Sequence, residues 1–340
     1  MLFHVDAIPL FFFVFIVRIK ESEMNNLESV PVIDIQDYRN PERRNQFITE
    51  LGDAMKYFGF VRVKGHKVGP IITDPAYDVA KRFFAQDEDT KQKYVVEGGA
   101  GQRGFTPYLS ESAKGNDKPD LKEFWHVGRE LEPFDDLFAV YPRNLWPNEI
   151  PEFKSAMLDL YNALEETSDI LLKGLAIYLD QEEDAFTKLT DSGNTILRSL
   201  YYPALEGVEV IPGAIRAAAH EDINFITLLI SSSASGLQLL TRDKTWLDID
   251  AEPGEIVADV GDMLSRVTNG FLPSTTHRVI NPDDSTTARY SMPFFVHPRP
   301  DAVLSVLDNC KGENFPEPPK DITGIDFLNE RLEELGLTKI

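Results

Sequence analysis

The chain has 340 residues, 42% of them hydrophobic, and its 56 acidic residues against 34 basic ones give a formal net charge of −22. A chain of this size buries a large core in one or two domains. The negative charge is spread along the chain and argues against binding to nucleic acid or to an anionic membrane surface. The single cysteine, Cys310, excludes an intrachain disulfide, and because no histidine is near it in sequence we interpret it as a spectator thiol.

The first notable segment is a short apolar run at residues 8–17. It is about half the length of a membrane-spanning helix, which needs ~20 residues. No Lys or Arg precedes it and no small-residue cleavage site follows it, so a signal peptide fits poorly. We predict that residues 1–24 form an extension outside the fold, or that Met24 is the true start, and that the protein is cytoplasmic without stable membrane association. A short membrane anchor is the less favoured alternative.

The first half of the chain combines helices with short strands. Apolar residues recur at helical spacing before Gly59, which ends a helix, and along a long helix that Pro151 opens. The predicted elements are strands at 30–35 and 60–63, helices at 41–58, 70–84 and 151–179, and a glycine-rich polar loop at 97–120. We assign residues 25–190 to an N-terminal helical region packed on the rest of the fold.

From Ile196 the pattern changes to many short apolar runs separated by turn residues. These predicted strands are 196–202, 214–220, 225–230, 236–240, 246–249, 255–260, 263–267, 276–280 and 289–297. Such spacing is typical of a double-sheet sandwich or jelly roll. The fold class is therefore α+β, with a jelly-roll core at 191–300 and a C-terminal segment at 301–340 that holds a helix at 323–336. No linker divides the chain, which favours one structural unit.

Three residues have the chemistry of a metal site. His220 and Asp222 lie two apart at the end of a predicted strand, so their side chains share one face, and His277 follows 57 residues after His220. Two imidazoles and one carboxylate suit divalent iron with open coordination positions. Zinc hydrolases use similar ligands, and His-x-Asp alone often occurs by chance.

A second pattern follows the third candidate ligand. Arg289 and Ser291 share a face of the last predicted strand, among apolar neighbours. A guanidinium binds a carboxylate through two hydrogen bonds, and a hydroxyl adds a third. A surface salt bridge is the usual role of such an arginine, but an unpaired guanidinium in a buried strand would be costly. The pattern suits a bound carboxylate, and together with the candidate metal ligands it suggests an iron enzyme that uses dioxygen and an oxo-acid.

An ordered set of motifs runs from about residue 30 to residue 297. They are Pro31-Val32-Ile33-Asp34, Gly59-Phe60, Arg103-Gly104-Phe105, Asp120-Leu121-Lys122-Glu123-Phe124, Tyr201-Tyr202-Pro203, His220-Glu221-Asp222, Gly236-Leu237-Gln238, Pro253-Gly254-Glu255, Gly261-Asp262-Met263-Leu264, Thr268-Asn269-Gly270, Ser274-Thr275-Thr276-His277-Arg278-Val279 and Arg289-Tyr290-Ser291. Through these motifs the chain resembles the isopenicillin N synthase-like branch of the Fe(II)/2-oxoglutarate-dependent oxygenases. Single motifs are not specific, but the ordered set is.

The resemblance implies a double-stranded β-helix core and a function for each candidate residue. His220, Asp222 and His277 would bind Fe(II) and form the catalytic centre. Arg289 and Ser291 would bind the distal carboxylate of 2-oxoglutarate, with Tyr202 adding a hydrogen bond. Dioxygen would be the oxidant, with ascorbate as a supporting reductant.

The chain departs from the family pattern at two places. The spacing from His277 to Arg289 is 12 residues, slightly longer than usual, with residues 281–285 as the predicted insertion. Glu221 and Asn224 differ from the residues usual after the first histidine and are read as pocket or turn residues. The remaining candidates, His66, His126 and His297, are interpreted as structural or hydrogen-bonding residues.

The resemblance implies an enzyme that couples decarboxylation of 2-oxoglutarate to succinate and CO2 with oxidation of a small organic substrate. Hydroxylation, desaturation and ring closure are all compatible with this chemistry. Three alternatives stay open at this stage: an oxidase of the isopenicillin N synthase type that does not use 2-oxoglutarate, an ethylene-forming enzyme, and a non-catalytic metabolite-binding protein of the same fold. The sequence predicts neither the substrate nor the oligomeric state.

Overall fold

The computed structural model of the protein describes residues 29–99, 101–111, 118–206, 214–230, 235–281 and 286–334. The predicted extension at 1–24, with its apolar run, lies outside the described residues, as does most of the predicted insertion at 281–285. Within the described ranges, no helix is both long and apolar enough to cross a membrane.

Helices surround a core of strands. The helices are α1 (Arg44–Phe58), α2 (Pro70–Phe84), α3 (Glu88–Gln92), α4 (Phe153–Tyr178), α5 (Ala185–Thr190), α6 (Asp262–Val267) and α7 (Gly324–Glu334). The strands are β1 (Val32–Asp34), β2 (Phe60–Lys64), β3 (Gly104–Thr106), β4 (Glu123–Gly128), β5 (Ile196–Tyr202), β6 (Ala217–His220), β7 (Ile226–Ile230), β8 (Leu237–Leu240), β9 (Trp246–Asp248), β10 (Ile256–Val260), β11 (His277–Val279), β12 (Arg289–Ser291) and β13 (Pro293–Val296).

The described strands form two sheets. The larger has the order β1-β2-β10-β7-β13-β5-β4-β3, with β12 also paired to β5, and the smaller has the order β6-β11-β8-β9. Except for the parallel pair β1–β2, the strand pairs are antiparallel, as in a jelly roll. The predicted α+β fold class with a jelly-roll core is confirmed, whereas the domain boundaries at 190 and 300 stay predictions.

The long helix α4 closes one face of the larger sheet. Its apolar residues recur at helical spacing and are fully buried, against α1, α2 and the sheet. Fully burying a leucine or methionine side chain stabilises the fold by about 1.5–3 kcal/mol. The residues that form this face include Met157, Leu160, Leu164, Leu171, Leu172 and Leu175.

The turn after α1 brings the N-terminal region against the site-bearing strands. Gly59 ends α1 with φ of 70°, a left-handed conformation that favours glycine. A Cβ at this position would lie 2.3 Å from Thr275 Oγ1 and 2.7 Å from Pro273 O. Glycine is therefore needed for both the turn and the close approach to the segment that leads into β11.

One predicted strand is wrong. Residues 263–267 belong to helix α6, in which Met263, Leu264 and Val267 are buried. Their spacing of one and four residues is helical, but a single helical turn in a run of short strands looks like another strand. The helix is fixed at its start, where the N–H of Asp262 donates to Asp222 O at 2.7 Å.

Two further stretches differ from the prediction. The predicted strand at 289–297 is divided between β12 and β13: β12 pairs with β5, and β13 pairs with both β5 and β7. The predicted loop at 97–120 contains the short strand β3, which pairs with the unpredicted strand β4. All six residues of β4 are buried, so it has no polar alternation to reveal it.

Candidate active site

Strand pairing brings the three candidate metal ligands together. His220 ends β6 and His277 begins β11, directly opposite it in the antiparallel pair. Nε2 of His220 lies 3.7 Å from Asp222 Oδ1, and Nε2 of His277 lies 3.8 Å from the same oxygen. One donor atom from each residue lies within 4.8 Å of the other two, a spacing at which the three could hold one metal ion.

Backbone hydrogen bonds orient both imidazoles. Nδ1 of His220 donates to Ala218 O at 2.7 Å, and Nδ1 of His277 donates to Thr275 O at 3.2 Å. Each ring therefore carries its proton on Nδ1 and keeps a lone pair on Nε2. Such bonds to the other ring nitrogen orient a metal-binding histidine and increase its basicity.

The carboxylate is oriented by a hydroxyl. Thr227 donates to Oδ2 of Asp222, which leaves Oδ1 turned toward the two imidazoles. Nδ2 of Asn224 in turn donates to Thr227 Oγ1 at 3.1 Å. Asn224, which departs from the family pattern, therefore supports the hydroxyl that orients the carboxylate.

The protonation states of His220 and Asp259 favour the binding of a metal cation. Burial, and then the neighbouring His277, lower the pKa of His220 to about 4, so its imidazole is neutral at neutral pH, as metal binding requires. Burial, and then the charge of Asp222, raise the pKa of Asp259 well above its usual range. This shift favours the neutral carboxyl of Asp259 over a second negative charge behind the site.

A cavity of about 70 Å³ extends from these residues to a buried arginine. Arg289 lies opposite Tyr202 in the β12–β5 pair, with its guanidinium carbon 5.2 Å from the centre of the Tyr202 ring. Arg289 is 1% exposed and Ser291 is 2% exposed, and both border the cavity. Burial lowers the pKa of Arg289, and Tyr202 partly offsets this. A bound carboxylate would compensate the buried charge.

On the other side of the ligands lies a larger cleft of about 250 Å³. Its wall carries a cluster of charged residues, of which Glu111 and Arg198 were not assigned to the site from the sequence. Lys122 Nζ lies 2.7 Å from Glu111 Oε2 and 2.8 Å from Asp120 Oδ2. Oδ1 of Asp120 accepts the N–H of Ala218 at 3.0 Å, two residues before His220. The cluster therefore contacts the edge strand that carries the first ligand.

Arg198 extends this cluster toward the open cleft. Its Nε lies 2.5 Å from His126 Nε2, and its Nη1 lies 3.5 Å from Glu111 Oε2. The available sequence signal was a charged residue at an alternate position of the apolar strand Ile196–Tyr202. Alternation alone does not tell whether such a residue faces the inside of a barrel or the solvent, so this signal was not sufficient to assign Arg198 to the site.

Of the nearby aromatic residues, two further histidines and the single cysteine, some border the cleft and others are buried in the core. Phe124 borders the cleft, whereas Phe105 and Trp125 belong to the core. His126 and His297 also border the cleft, and burial lowers the pKa of His297 to about 4. Cys310 is buried, and burial raises the pKa of its thiol.

Comparison with known proteins assigns the family. Residues 30–149 match the model of the N-terminal region of the non-haem dioxygenase in morphine synthesis, and residues 193–298 match that of the 2OG-Fe(II) oxygenase superfamily. A 2-oxoglutarate-Fe(II) type oxidoreductase of Aspergillus fumigatus is 30% identical over 312 residues, which cover 88% of this chain and 91% of that protein. A second protein of that type, from Emericella nidulans, is 31% identical over 302 residues, 85% of this chain and 86% of that protein.

A solved structure supports the same family assignment. A 2OG-Fe(II) oxygenase family protein from Caulobacter crescentus is 40% identical, with a TM-score of 0.81 over 89% of this chain and 98% of that one. The fold, the sequence matches and the chemistry of the candidate ligands thus support the same family. The chain belongs to the Fe(II)- and 2-oxoglutarate-dependent dioxygenases, and it is an oxidoreductase that uses both.

Proposed function

We propose that His220, Asp222 and His277 bind the Fe(II). The observation that carries the proposal is the convergence of two Nε2 atoms and one Oδ1 atom within 4.8 Å, with each histidine oriented by a backbone carbonyl. Two nitrogen ligands and one carboxylate favour a divalent iron that keeps open positions.

We propose further that Arg289 and Ser291 bind the distal carboxylate of 2-oxoglutarate and that Tyr202 contributes a hydrogen bond. Support comes from their place at the far end of the cavity that begins at His220 and Asp222. A guanidinium at one end and a metal at the other suit a molecule with an acid group at each end.

When bound, Fe(II) supplies the redox chemistry by which dioxygen decarboxylates 2-oxoglutarate to succinate and CO2 and oxidises the substrate. The chain itself orients the reactants. Arg289 neutralises the co-substrate's distal charge, and the apolar wall, including Phe60, Leu229 and Val257, excludes water from the cavity. No protein base is required at the carbon that is oxidised.

The substrate we propose is a small organic molecule that undergoes hydroxylation, desaturation or ring closure. The cleft beside the ligands is about 250 Å³, a size that fits a small molecule. The net charge of −22 disfavours nucleic acid as the substrate. We also propose a cytoplasmic location, with which the single cysteine is compatible.

The test is reconstitution with Fe(II), 2-oxoglutarate and ascorbate in the absence of oxygen, followed by exposure to air. We expect succinate to form, and His277→Ala to lose both succinate formation and tight Fe(II) binding in equilibrium dialysis. His66→Gln is the matched control, because His66 Nδ1 accepts the N–H of Val68 at 3.2 Å, away from the ligands. Succinate formation by His277→Ala at the wild-type rate would contradict the ligand assignment.

A further inference from the structure

The side chain that best defines the substrate is Arg198. It borders both the co-substrate cavity and the larger cleft, and His220 and Asp222 border the same two spaces. A molecule in the cleft that reaches the proposed metal site therefore lies in a space that this guanidinium also borders.

The guanidinium of Arg198 is held between two aromatic rings. Its central carbon lies 4.3 Å from the centre of the Phe124 ring and 5.1 Å from that of Phe295. Its Nε is fixed by His126 at 2.5 Å. A side chain fixed in this way loses little conformational entropy when a ligand binds, so its position is set in advance.

The charge of Arg198 is the least compensated one in the cluster. Glu111 lies 2.7 Å from Lys122 but 3.5 Å from Arg198 Nη1, and Lys122 also pairs with Asp120. Among the described residues, no atom accepts a hydrogen bond from the terminal nitrogens of Arg198, and its side chain is 19% exposed. Apart from the ion pair with Glu111, the terminal nitrogens of Arg198 therefore have no acceptor in the described part of the chain, and the side chain borders the cleft.

Four acidic residues of the cleft wall, in contrast, already have partners. Glu111 and Asp120 pair with Lys122, and Glu221 accepts the hydroxyl of Thr276. Glu334 pairs with Arg331 at 2.7 Å. The cleft therefore offers a cation beside apolar surface, and these four carboxylates are already engaged.

We propose that the substrate is a carboxylic acid whose carboxylate binds the terminal nitrogens of Arg198. Its carbon skeleton would lie against Phe124 and Phe295, with the carbon to be oxidised turned toward the metal ligands. The two parallel donors of a guanidinium match a carboxylate, and the flat rings favour an apolar skeleton. This inference rests on the proposed function, because it names the substrate class for that site.

The experiment compares acids with their uncharged amides on protein loaded with Mn(II), which does not turn over, and 2-oxoglutarate. The probes are phenylacetate, cinnamate and octanoate, each beside its amide, with binding measured by isothermal titration calorimetry. We expect at least one acid to bind about tenfold or more tighter than its amide. Arg198→Gln should abolish that preference, and Arg198→Lys should keep part of it, because the charge remains without the paired donors.

Arg82→Gln is the matched control. Arg82 lies on the exposed surface of α2, paired with Asp78 and Glu152, so this change removes one positive charge far from the cleft. It should leave the preference for acids unchanged. Thermal denaturation of each variant shows whether Arg198→Gln is folded; if it is not, Arg198→Lys decides alone.

Three outcomes would overturn the inference: no acid binds, acids and amides bind equally, or the preference survives in both Arg198 variants. Equal binding that is lost in Arg198→Gln would show that a neutral carbonyl is recognised instead of a carboxylate. The proposed function is tested separately by the binding of 2-oxoglutarate to the Mn(II) protein. If 2-oxoglutarate binds and the acids do not, only the substrate class fails.

Discussion

The two polar regions of the site are built on opposite principles. At the metal ligands, the orienting partners are near in sequence: two residues away for His220 and for His277, and five for Asp222. In the charged cluster of the cleft, Lys122 and Asp120 are two residues apart, but other contacts join distant parts of the chain: 72 residues separate Arg198 from His126, and 98 separate Ala218 from Asp120. The metal ligands are thus oriented by local contacts, whereas the cluster depends mainly on contacts that form only in the folded chain.

This difference has an energetic consequence. The ligands are oriented by backbone carbonyls and a hydroxyl, which carry no charge of their own. Loss of one such contact should change metal or co-substrate binding more than stability. The cleft residues neutralise one another, so removal of one leaves another charge buried without its partner, which is costly. The predictions below test whether binding and stability separate in this way.

The largest expected effect is on co-substrate binding. Arg289→Gln should raise the KM for 2-oxoglutarate about 100-fold, because removing a buried charged partner costs about 2–5 kcal/mol of binding. Stability without 2-oxoglutarate should change little, since burying a guanidinium is itself costly. Steady-state kinetics and urea denaturation measure the two quantities.

Ser291→Ala tests a second residue of the proposed co-substrate site and should have a smaller effect than Arg289→Gln. It removes one hydroxyl from the same end of the cavity, and a single hydrogen bond to a charged group is worth about 1.5–3 kcal/mol. Its effect on KM should therefore be smaller than that of Arg289→Gln. An equal KM in wild type and Arg289→Gln would remove Arg289 from the co-substrate site.

The next effect is on stability. Lys122→Met should lower the free energy of unfolding by about 3 kcal/mol, because Glu111 and Asp120 lose the cation between them. Lys188→Met is the control: Lys188 pairs with Asp184 on the surface, with side chains 66% and 50% exposed. That pair should contribute less than about 1 kcal/mol. Equal losses in the two variants would show that the cluster is no more than a set of surface pairs.

A smaller effect is expected on Fe(II) affinity when a residue that orients a metal ligand is changed. Thr227→Val keeps the side-chain shape but removes the donor to Asp222 Oδ2. Fe(II) affinity should fall about 10–100-fold, as is usual when a group that orients a ligand is lost. Thr167→Val is the control, because this buried threonine of α4 donates to Ala163 O at 2.8 Å, away from the site. A fall in Fe(II) affinity for both variants would point to general loosening of the fold.

The same contrast explains what could be predicted from the sequence. His220, Asp222, Arg289 and Ser291 stand at strand spacing within short motifs, so their common faces follow from residue order alone. The fold class followed from the many short apolar runs after Ile196. These features depend on contacts between neighbours, which a sequence displays directly.

The features that were missed depend on distant contacts. Strand β4 is buried on both faces, and α6 is a single turn between strands, so neither has a periodicity long enough to identify it. Arg198 and Glu111 look like ordinary surface charges in the sequence. Only the pairing of β4 with β5 places Phe124 and His126 beside Arg198.

The smallest effect is in the pH dependence of stability. Burial alone would raise the pKa of Glu111, but Lys122 and Arg198 outweigh it and hold the pKa well below its usual range. A depressed pKa in the folded state stabilises the fold above the unfolded value of about 4.3, and this contribution is lost as the pH falls toward the folded value. Without Lys122 the pKa of Glu111 should rise, so less of the contribution remains to be lost.

The test is to measure the free energy of unfolding by urea denaturation from pH 5.5 to pH 3.5 in wild type and in Lys122→Met. Carboxylates outside the cluster are the same in both proteins, so a difference between the two pH curves comes from the cluster. Below about pH 4.3, wild type should lose stability more steeply, by up to about 1.4 kcal/mol per pH unit for one proton. Parallel curves would mean that Glu111 titrates alike with and without its lysine. The cleft cluster would then not be held together by the mutual neutralisation that distinguishes it from the metal ligands.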